Sequence, residues 1–335
     1  MKSVPDKEIL ESLQNAGLLK SLETASFEAL SGGVSSDIWR VETQGQVYCV
    51  KRALSKLKVE ADWFAPVERN LFEVAWYQVA NKVAPGCAPQ VIAHDEIAML
   101  CVMEYLDPDT HKLWKNELRW GQADIATASQ VGKLLGRIHA GTAGREKINK
   151  SLPDIDIFHA IRLEPYLEAV AASHPDLKDQ LYSLSHRTAG NRLTMIHGDV
   201  SPKNILLGPS GPVFIDAECA CIGDPAFDLA FCLNHLLLKC LWKPDSQADF
   251  MACFRAMCTS YSSQVTWEYP AQVEARAASL LPGLFLARID GKSPVEYVTD
   301  ERDKDKVRRC ARALLLSPPN RLAKIADAWA QELAA

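Results

Sequence analysis

A short strand-like stretch, interrupted by a polar loop, lies inside an otherwise helical part of this 335-residue chain. Leu193 to Ile196 is apolar, residues 197–203 form the loop, and apolar runs resume at Asn204 to Leu207 and at Val213 to Ile215. Runs this short, rich in branched apolar residues and bounded by turn residues, predict strands rather than helices. The chain is therefore predicted to fold a small piece of sheet among helices.

Helical patterns surround this stretch. From Ile125 to His139 the apolar residues recur at the spacing of one helix face. The same periodicity predicts further helices at 155–172, 225–242, 246–261, 271–288 and 303–315. The part of the chain beyond Pro108 is thus expected to be mainly helical.

The first hundred residues have a different pattern. Ser31-Gly32-Gly33-Val34-Ser35-Ser36 predicts a glycine loop between strands, and Arg69 to Val79 predicts a single helix. Strands are predicted at 27–30, 37–43, 47–51, 89–92 and 99–106. The fold class is therefore predicted to be α+β and bilobal, with a β-rich N-terminal lobe (1–105) and a helical C-terminal lobe (106–335).

Composition and charge exclude several classes of protein. Hydrophobic residues make up 48% and charged residues 24%, which excludes disorder and coiled coil. The net charge of −5 has the wrong sign for binding nucleic acid. No apolar run is long enough for a membrane span or signal peptide, so we expect no membrane partner and a cytoplasmic location.

The ten cysteines are scattered among apolar neighbours, with no CxxC pair and no histidine beside them. This spacing predicts free, buried thiols in a reducing compartment and no thiolate metal site. A homodimer is left open.

The polar loop carries groups that phosphoryl transfer requires, namely a carboxylate near the attacking hydroxyl and oxygen ligands for Mg²⁺. Asp199 and Asn204 have the Asp-x-x-x-x-Asn spacing of the kinase catalytic loop. Asp216 ends a strand where it could share a metal ion with Asn204, and Glu218 adds a second carboxylate. Each residue alone is more commonly a turn or cap residue. Together, and downstream of a glycine loop and a strand lysine, they predict a phosphotransferase.

The segments HGDVSPKNIL, from His197, and FIDAECACIGDPAFDLAFCL, from Phe214, resemble the aminoglycoside phosphotransferase and choline kinase family. The resemblance extends from about Leu30 to His235. It implies a protein-kinase-like fold that binds ATP between its lobes and phosphorylates a small-molecule hydroxyl. The resemblance also implies that Asp199 is the catalytic base. The Mg²⁺ ligands that it implies are Asn204, Asp216 and Glu218.

Several residues of the N-terminal lobe are predicted to bind the nucleotide. Gly32, Gly33, Ser35 and Ser36 would approach the phosphates, since glycine admits close backbone contact. Lys51 stands in the strand position that contacts the α- and β-phosphates in kinases. Strand alternation then places Cys49 on the same face, near the adenine. The hinge that pairs with the adenine edge is predicted at Met103, Glu104 and Leu106.

A helix glutamate should hold Lys51, and two candidates exist. Glu73 lies within the helical pattern and is preferred, while Glu68 is the alternative. The region from Lys51 to Glu73 also resembles methylthioribose kinases.

The acceptor is predicted to be a small molecule, because Asp228 follows Asp216 by only twelve positions. A protein kinase would need a peptide-docking segment there. Asp228 is expected to be architectural. Asp224 is predicted either to cap a helix or to contact substrate, and Arg288 and Asp290 are candidate acceptor contacts.

The methylthioribose kinase resemblance departs at two places. Those enzymes commonly have Ser at the position of Asn204, and they bind the sugar with an adjacent arginine pair that Arg288 and Lys292 need not reproduce. A sugar kinase of that type therefore stays one alternative. The others are a nucleotide-binding pseudokinase, and a resistance enzyme for cationic antibiotics that would need acidic residues such as Glu164.

Overall fold

The computed structural model describes residues 4–30, 35–56, 65–144 and 155–335. An antiparallel five-stranded sheet, in the order β1-β2-β3-β5-β4, forms most of the N-terminal part. Its strands are β1 (Ser26–Ala29), β2 (Ser36–Thr43), β3 (Gln46–Ala53), β4 (Val91–Asp95) and β5 (Leu100–Glu104). Strand β4 begins after the predicted 89–92 start, because Pro89 lacks the amide proton that a sheet ladder needs.

The β2–β3 hairpin fixes the register of the central strand. Gln44 and Gly45 connect the two strands, both with positive φ (53° and 75°), as the tight turns of hairpins require. On its other side β3 pairs with β5, so that Cys49 lies opposite Met103 and Lys51 opposite Cys101. The sheet therefore places Lys51 at its centre.

Two helices, not the single predicted one, lie among the described residues of this part of the chain. Helix α2 (Arg69–Val83) is the expected helix, and α1 (Lys7–Asn15) was not predicted. Asp6 caps α1 through the amide of Ile9 at 3.1 Å. Ile9 joins Leu13, Leu19, Val41, Val50, Leu100 and Val102 in a small core on the sheet. A helix of nine residues shows too few turns for its apolar face to stand out in the sequence.

The remaining chain is mainly helical, as predicted. Its helices are α3 (Trp114–Arg119), α4 (Ile125–Thr142), α5, α6 (Lys178–Gly190), α7 (Pro225–Trp242), α8 (Gln247–Ser262), α9 (Pro270–Asp290), α10 (Glu301–Leu316) and α11 (Leu322–Ala334). Short strands form two further sheets, β6 (Lys112–Leu113) with β8 (Ile205–Gly208) and β9 (Gly211–Phe214), and β7 (Thr194–Ile196) with β10 (Cys221–Gly223). A single large core connects these elements with α2.

Helix α5 contains a wider turn. It runs through Asp156–Phe158, a π-helical segment His159–Glu168 and Ala169–Ser173. Pro165 has no amide proton to donate to the carbonyl of Ile161, and that oxygen instead accepts from Arg162 at 2.6 Å. π-helical turns change which side chains share a face and occur frequently at functional sites.

No helix among the described residues has the length and apolar character needed to cross a membrane. All ten cysteines are free thiols, and burial raises their pKa values, as for Cys49, whose pKa is about 12. The division of the chain at residue 105 stays a prediction.

Candidate active site

One buried carboxylate anchors the loop between β7 and β8. The backbone amides of His197 and Gly198 donate to Asp228 at 2.7 and 2.8 Å. Gly198 has φ +76°, and a Cβ there would lie 2.6 Å from the carbonyl oxygen of Cys219. Only glycine fits this position. The expected architectural role of Asp228 is thus confirmed by its contacts.

Two histidines near the loop are structural. His197 contacts the carbonyl of Ile215 through Nε2 at 3.0 Å, and His139 lies between Tyr261 and Asp228 at 2.8 and 3.2 Å. Burial lowers the pKa of His197, which favours its neutral form. Both rings fix the position of the loop.

Asp199 presents one free oxygen. Its Oδ2 contacts Asn204 Nδ2 at 2.9 Å, Arg162 Nη2 at 2.7 Å and Lys203 Nζ at 3.2 Å. Its Oδ1 is buried and has no hydrogen-bond partner in the described part of the chain. Burial alone would raise the pKa of Asp199, but the charges of Arg162 and Lys203 outweigh it and hold that pKa below its usual value. Asp199 is therefore an ionised acceptor with a vacant oxygen.

Asn204 and Asp216 offer hard oxygen ligands on the wall of one cavity. The amide nitrogen of Asn204 donates to the backbone and side chain of Asp199, so its Oδ1 points away from that residue. The carboxylate of Asp216 is 35% exposed and turns toward the same cavity. The described residues hold no cluster of three His, Cys, Asp or Glu side chains able to bind a metal ion. Two protein ligands completed by phosphate oxygens suit Mg²⁺, which is commonly bound in this way.

Lys51 is the centre of an ionic cluster that is rich in carboxylates. Its Nζ lies 2.9 Å from Glu73, 2.6 Å from Asp216 and 2.9 Å from Glu218. Burial and the charges of Glu218 and Asp216 together raise the pKa of Glu73 above its ordinary value, although Lys51 opposes them. The second oxygen of Glu73 has no partner among the described residues. This excess of negative charge beside Asp216 fits a site that receives a divalent cation.

The contacts of Glu218 favour a supporting role over the predicted metal ligation. Its Oε1 accepts from Ser35 at 3.1 Å, Ser36 at 2.8 Å and Lys51, and its Oε2 accepts from Arg69 at 3.1 Å. A metal ion would have to displace one of these donors. The same bonds turn Ser35 and Ser36 toward Glu218, whereas the sequence predicts that they approach the phosphates. Gly32 and Gly33 lie outside the described residues.

Four side chains of this site were not predicted. Tyr77 donates to Glu73 and accepts from the amide of Asp216, both at 2.7 Å, and so connects α2 to the loop that follows β9. Arg69 is 1% exposed and donates to the carbonyls of Ala65, Pro66, Leu54 and Ser35. Lys203 lies within the segment HGDVSPKNIL, whereas no sequence spacing predicts that Arg162 belongs to the site.

A cavity of about 690 Å³ extends from this cluster along the sheet. Cys49, Met103, Glu104 and Leu106 line its far end, as expected for an adenine pocket. The amide of Glu104 donates to Gln90, while that of Leu106 makes no backbone hydrogen bond within the described residues. The cavity therefore joins the predicted hinge to Lys51 and Asp216.

The three candidate acceptor contacts do not line this cavity. Asp224 caps α7 through the amide of Ala226 at 3.0 Å and pairs with Arg276 at 2.9 Å, which favours the capping alternative. Asp290 pairs with Arg308 at 2.8 Å and with His174 at 2.8 Å, so its carboxylate is already neutralised. Arg288 lies elsewhere and is buried, and its Nη1 donates to the hydroxyl of Tyr166 at 3.1 Å and to the carbonyl and hydroxyl of Ser293.

Comparisons with known proteins agree with this geometry. A model of the phosphotransferase enzyme family matches residues 26–249. A methylthioribose kinase of Yersinia pseudotuberculosis serotype O:3 (strain YPIII) is 26% identical over 219 residues, which cover 57% of this chain and 53% of that protein. The chain thus spans about half the length of the curated relatives it matches. Both predicted resemblances, to the wider group and to its methylthioribose kinase branch, are confirmed as similarities.

Solved structures share the architecture at low identity. A choline/ethanolamine kinase family protein from Mesorhizobium loti is 15% identical with a TM-score of 0.52, over 92% of each chain. An amicoumacin kinase solved with AMP-PNP, Ca²⁺ and Ami is 15% identical with a TM-score of 0.56, over 95% of this chain and 96% of that one. At such identities the likeness concerns the fold, and it confirms the predicted bilobal α+β architecture.

Proposed function

Because the chain belongs to the phosphotransferase enzyme family, we propose that it transfers the γ-phosphate of ATP to a hydroxyl group of a small molecule. The observation that carries this proposal is the vacant, buried Oδ1 of Asp199 beside the hard-oxygen pair Asn204 and Asp216. Phosphoryl transfer depends mainly on positioning and charge, and this site supplies both.

Each residue has a role in the proposed reaction. Asp199 accepts the proton of the attacking hydroxyl at Oδ1, while its other oxygen is held by Asn204, Arg162 and Lys203. Lys51 contacts the phosphates and is held in place by Glu73. Asn204 and Asp216 would hold Mg²⁺, whose charge neutralises the phosphate oxygens when it is bound.

A small acceptor is favoured by the segment between Asp216 and Asp228. Strand β10 and the start of α7 occupy it, with Asp224 as the helix cap, and they are buried. This leaves no exposed segment for docking a peptide. We place the activity in the cytoplasm, where ATP is available and reducing conditions keep the ten cysteines as thiols.

Among the alternatives, methylthioribose phosphorylation is supported by the similarity to that kinase, although the similarity covers only part of that protein's length. A pseudokinase is disfavoured because Lys51 contacts Glu73 and Asp216, and because Asp199 contacts Asn204, which lines the same cavity as those residues. A cationic antibiotic is disfavoured as acceptor because Glu164, Asp224 and Asp290 are each paired with a cation of the protein. Those cations are Lys292, Arg276 and Arg308.

The proposal is tested by measuring ADP release from MgATP with a panel of sugars, amino alcohols, hydroxy acids and aminoglycosides. We expect acceptor-dependent ADP release that requires a divalent cation. Nucleotide binding without turnover on any acceptor would instead indicate a pseudokinase.

Lys51 and Glu73 are expected to act as one unit. Because they form a buried pair at 2.9 Å, the single changes Lys51→Ala and Glu73→Ala should reduce kcat/KM by amounts that do not add in the double variant. Glu68→Ala is the matched control, since Glu68 is exposed at the start of the same helix. Additive losses for the pair would refute the coupling that we assign to them.

The acid limb of the pH profile should depend on Lys203. The charges of Arg162 and Lys203 hold the pKa of Asp199 below its usual value, so wild-type kcat/KM should not fall through Asp199 until the pH is well below neutral. Lys203→Met removes one of these charges, and the acid limb should move to higher pH because Asp199 is then protonated more easily. An unchanged limb would show that Asp199 does not control it.

A further inference from the structure

A second polar cluster lies beyond Asp199, on α7 and α9, and takes no part in the site described above. It consists of Asn234, His235, Lys239 and Arg288, which we call the basic cluster. These side chains are 0%, 7%, 1% and 9% exposed, respectively. Polar groups so deeply buried are almost always hydrogen-bonded in folded proteins.

Several polar atoms of the basic cluster have no hydrogen-bond partner among the described residues. Both side-chain polar atoms of Asn234 and the Nε of Arg288 make no hydrogen bond within the described part of the chain. The hydroxyl of Tyr297 beside them is equally unpaired there. Lys239 has no carboxylate in its ion-pair range among the described residues; its ammonium lies over the rings of Trp242 and Tyr297, 4.4 and 4.7 Å from their centroids. A ligand with acceptor oxygens would satisfy these donors.

One segment of α5 contacts both the proposed catalytic base and the basic cluster. Arg162 contacts Asp199 at 2.7 Å, and Tyr166 follows it on the same π-helical segment of α5. The hydroxyl of Tyr166 accepts from Arg288 at 3.1 Å. The same segment of α5 therefore contacts both Asp199 and the basic cluster.

The charge of this region is positive. The charges of Arg288, Lys239, Lys203 and Lys115 act on His235, whereas the nearby carboxylates are Asp199, which is shared by two cations, and Glu296, which is paired with Lys115 at 2.5 Å and 63% exposed. Burial and these four cations lower the pKa of His235 well below its usual value, while burial and Lys115 lower the pKa of Lys239 to about 7. An anion would relieve this repulsion.

We propose that the basic cluster binds an anionic group of the acceptor, a carboxylate or phosphate monoester carried on the same molecule as the reacting hydroxyl. This inference rests on the proposed function and specifies its substrate class. Arginine suits oxyanions because its planar donors match their geometry. A cationic acceptor does not fit, because the aromatic faces of Trp242 and Tyr297 that could receive it are already covered by Lys239.

The binding test uses sulfate as a simple anion, with the nucleotide cleft saturated by MgAMP-PNP so that the phosphate sites are filled. Calorimetry should detect sulfate binding that weakens roughly 10- to 100-fold in Lys239→Met and in Arg288→Met, the range expected when a charged hydrogen bond is lost. Lys292→Met is the matched control, because Lys292 is an exposed cation paired with Glu164. Thermal melting checks folding, and Lys239→Met should fold well because it removes a poorly solvated buried charge.

The turnover test compares acceptors that share a carbon skeleton and differ in charge, namely glycerate, glycerol and 3-amino-1,2-propanediol, and ribose 5-phosphate with ribose. An anionic member should have at least about tenfold higher kcat/KM than its neutral partner. Lys239→Met should abolish that preference through KM and leave kcat nearly unchanged.

The two proposals fail in different ways. Preference for the neutral or cationic members, or sulfate binding that is absent or unaffected by both substitutions, would overturn the anion site even if ADP is released. Sulfate binding that depends on Lys239 and Arg288, without ADP release on any acceptor, would support the anion site and count against the phosphotransferase activity.

Discussion

Replacing Asp199 by Asn should reduce kcat by about 10²–10⁴-fold, the usual contribution of general-base catalysis. The amide keeps the size of the side chain but cannot take the proton of the attacking hydroxyl. The affinity for MgATP should change little, since Asp199 contacts Arg162 and Lys203 and is not among the residues that line the predicted nucleotide cavity. Steady-state kinetics and calorimetry measure the two quantities separately.

The matched control for this prediction is Ser201→Ala. Ser201 lies in the same loop, is fully buried and makes no side-chain hydrogen bond within the described residues. It should retain most of its turnover. Turnover of Asp199→Asn close to wild type would show that another group accepts the proton.

Asp216→Ala should remove the dependence of ATP binding on Mg²⁺. Loss of a residue that only hydrogen-bonds to a metal ligand typically weakens metal affinity by about 10–100-fold. Loss of a direct ligand should weaken metal affinity by at least as much. ATP binding without metal should persist, because Lys51 keeps its contacts with Glu73 and Glu218. Calorimetry of ATP with and without Mg²⁺ gives both values.

Glu218→Gln separates the two roles open to Glu218. If it supports Lys51 and Arg69, as its contacts favour, the dependence on Mg²⁺ should survive while the protein becomes less stable to heat. Loss of the Mg²⁺ dependence in this variant would restore the metal role that the sequence predicts. Equal MgATP affinity in Asp216→Ala and wild type would contradict the assignment of Asp216.

The sequence predicts the positions that depend on local spacing. Lys51 faces the cleft because of strand alternation, and Glu73 faces Lys51 because helical periodicity buries that side of α2. The spacing from Asp199 to Asn204 likewise brings their side chains into contact. Their geometry in the structure follows these expectations, while their catalytic roles stay proposals.

Other parts of the site depend on contacts between distant segments, which spacing does not reveal. Arg162 reaches Asp199 from a π-helical segment, where the 3.6-residue periodicity used to assign faces no longer holds. Arg69 and Tyr77 act through backbone groups of other elements. Asp290 was predicted to contact the acceptor, but its carboxylate pairs with Arg308 on the following helix. The sequence does not distinguish a carboxylate that joins two helices from one that contacts a substrate.

The measurement that tests the central claim most directly is ³¹P NMR of the reaction products. The protein is mixed with MgATP and an acceptor that supports ADP release, and the fate of the γ-phosphate is followed. We predict a new phosphate monoester on the acceptor, formed in equal amount to ADP and strongly reduced in Asp199→Asn. Release of inorganic phosphate alone, or phosphate attached to the protein, would contradict transfer to a small-molecule hydroxyl.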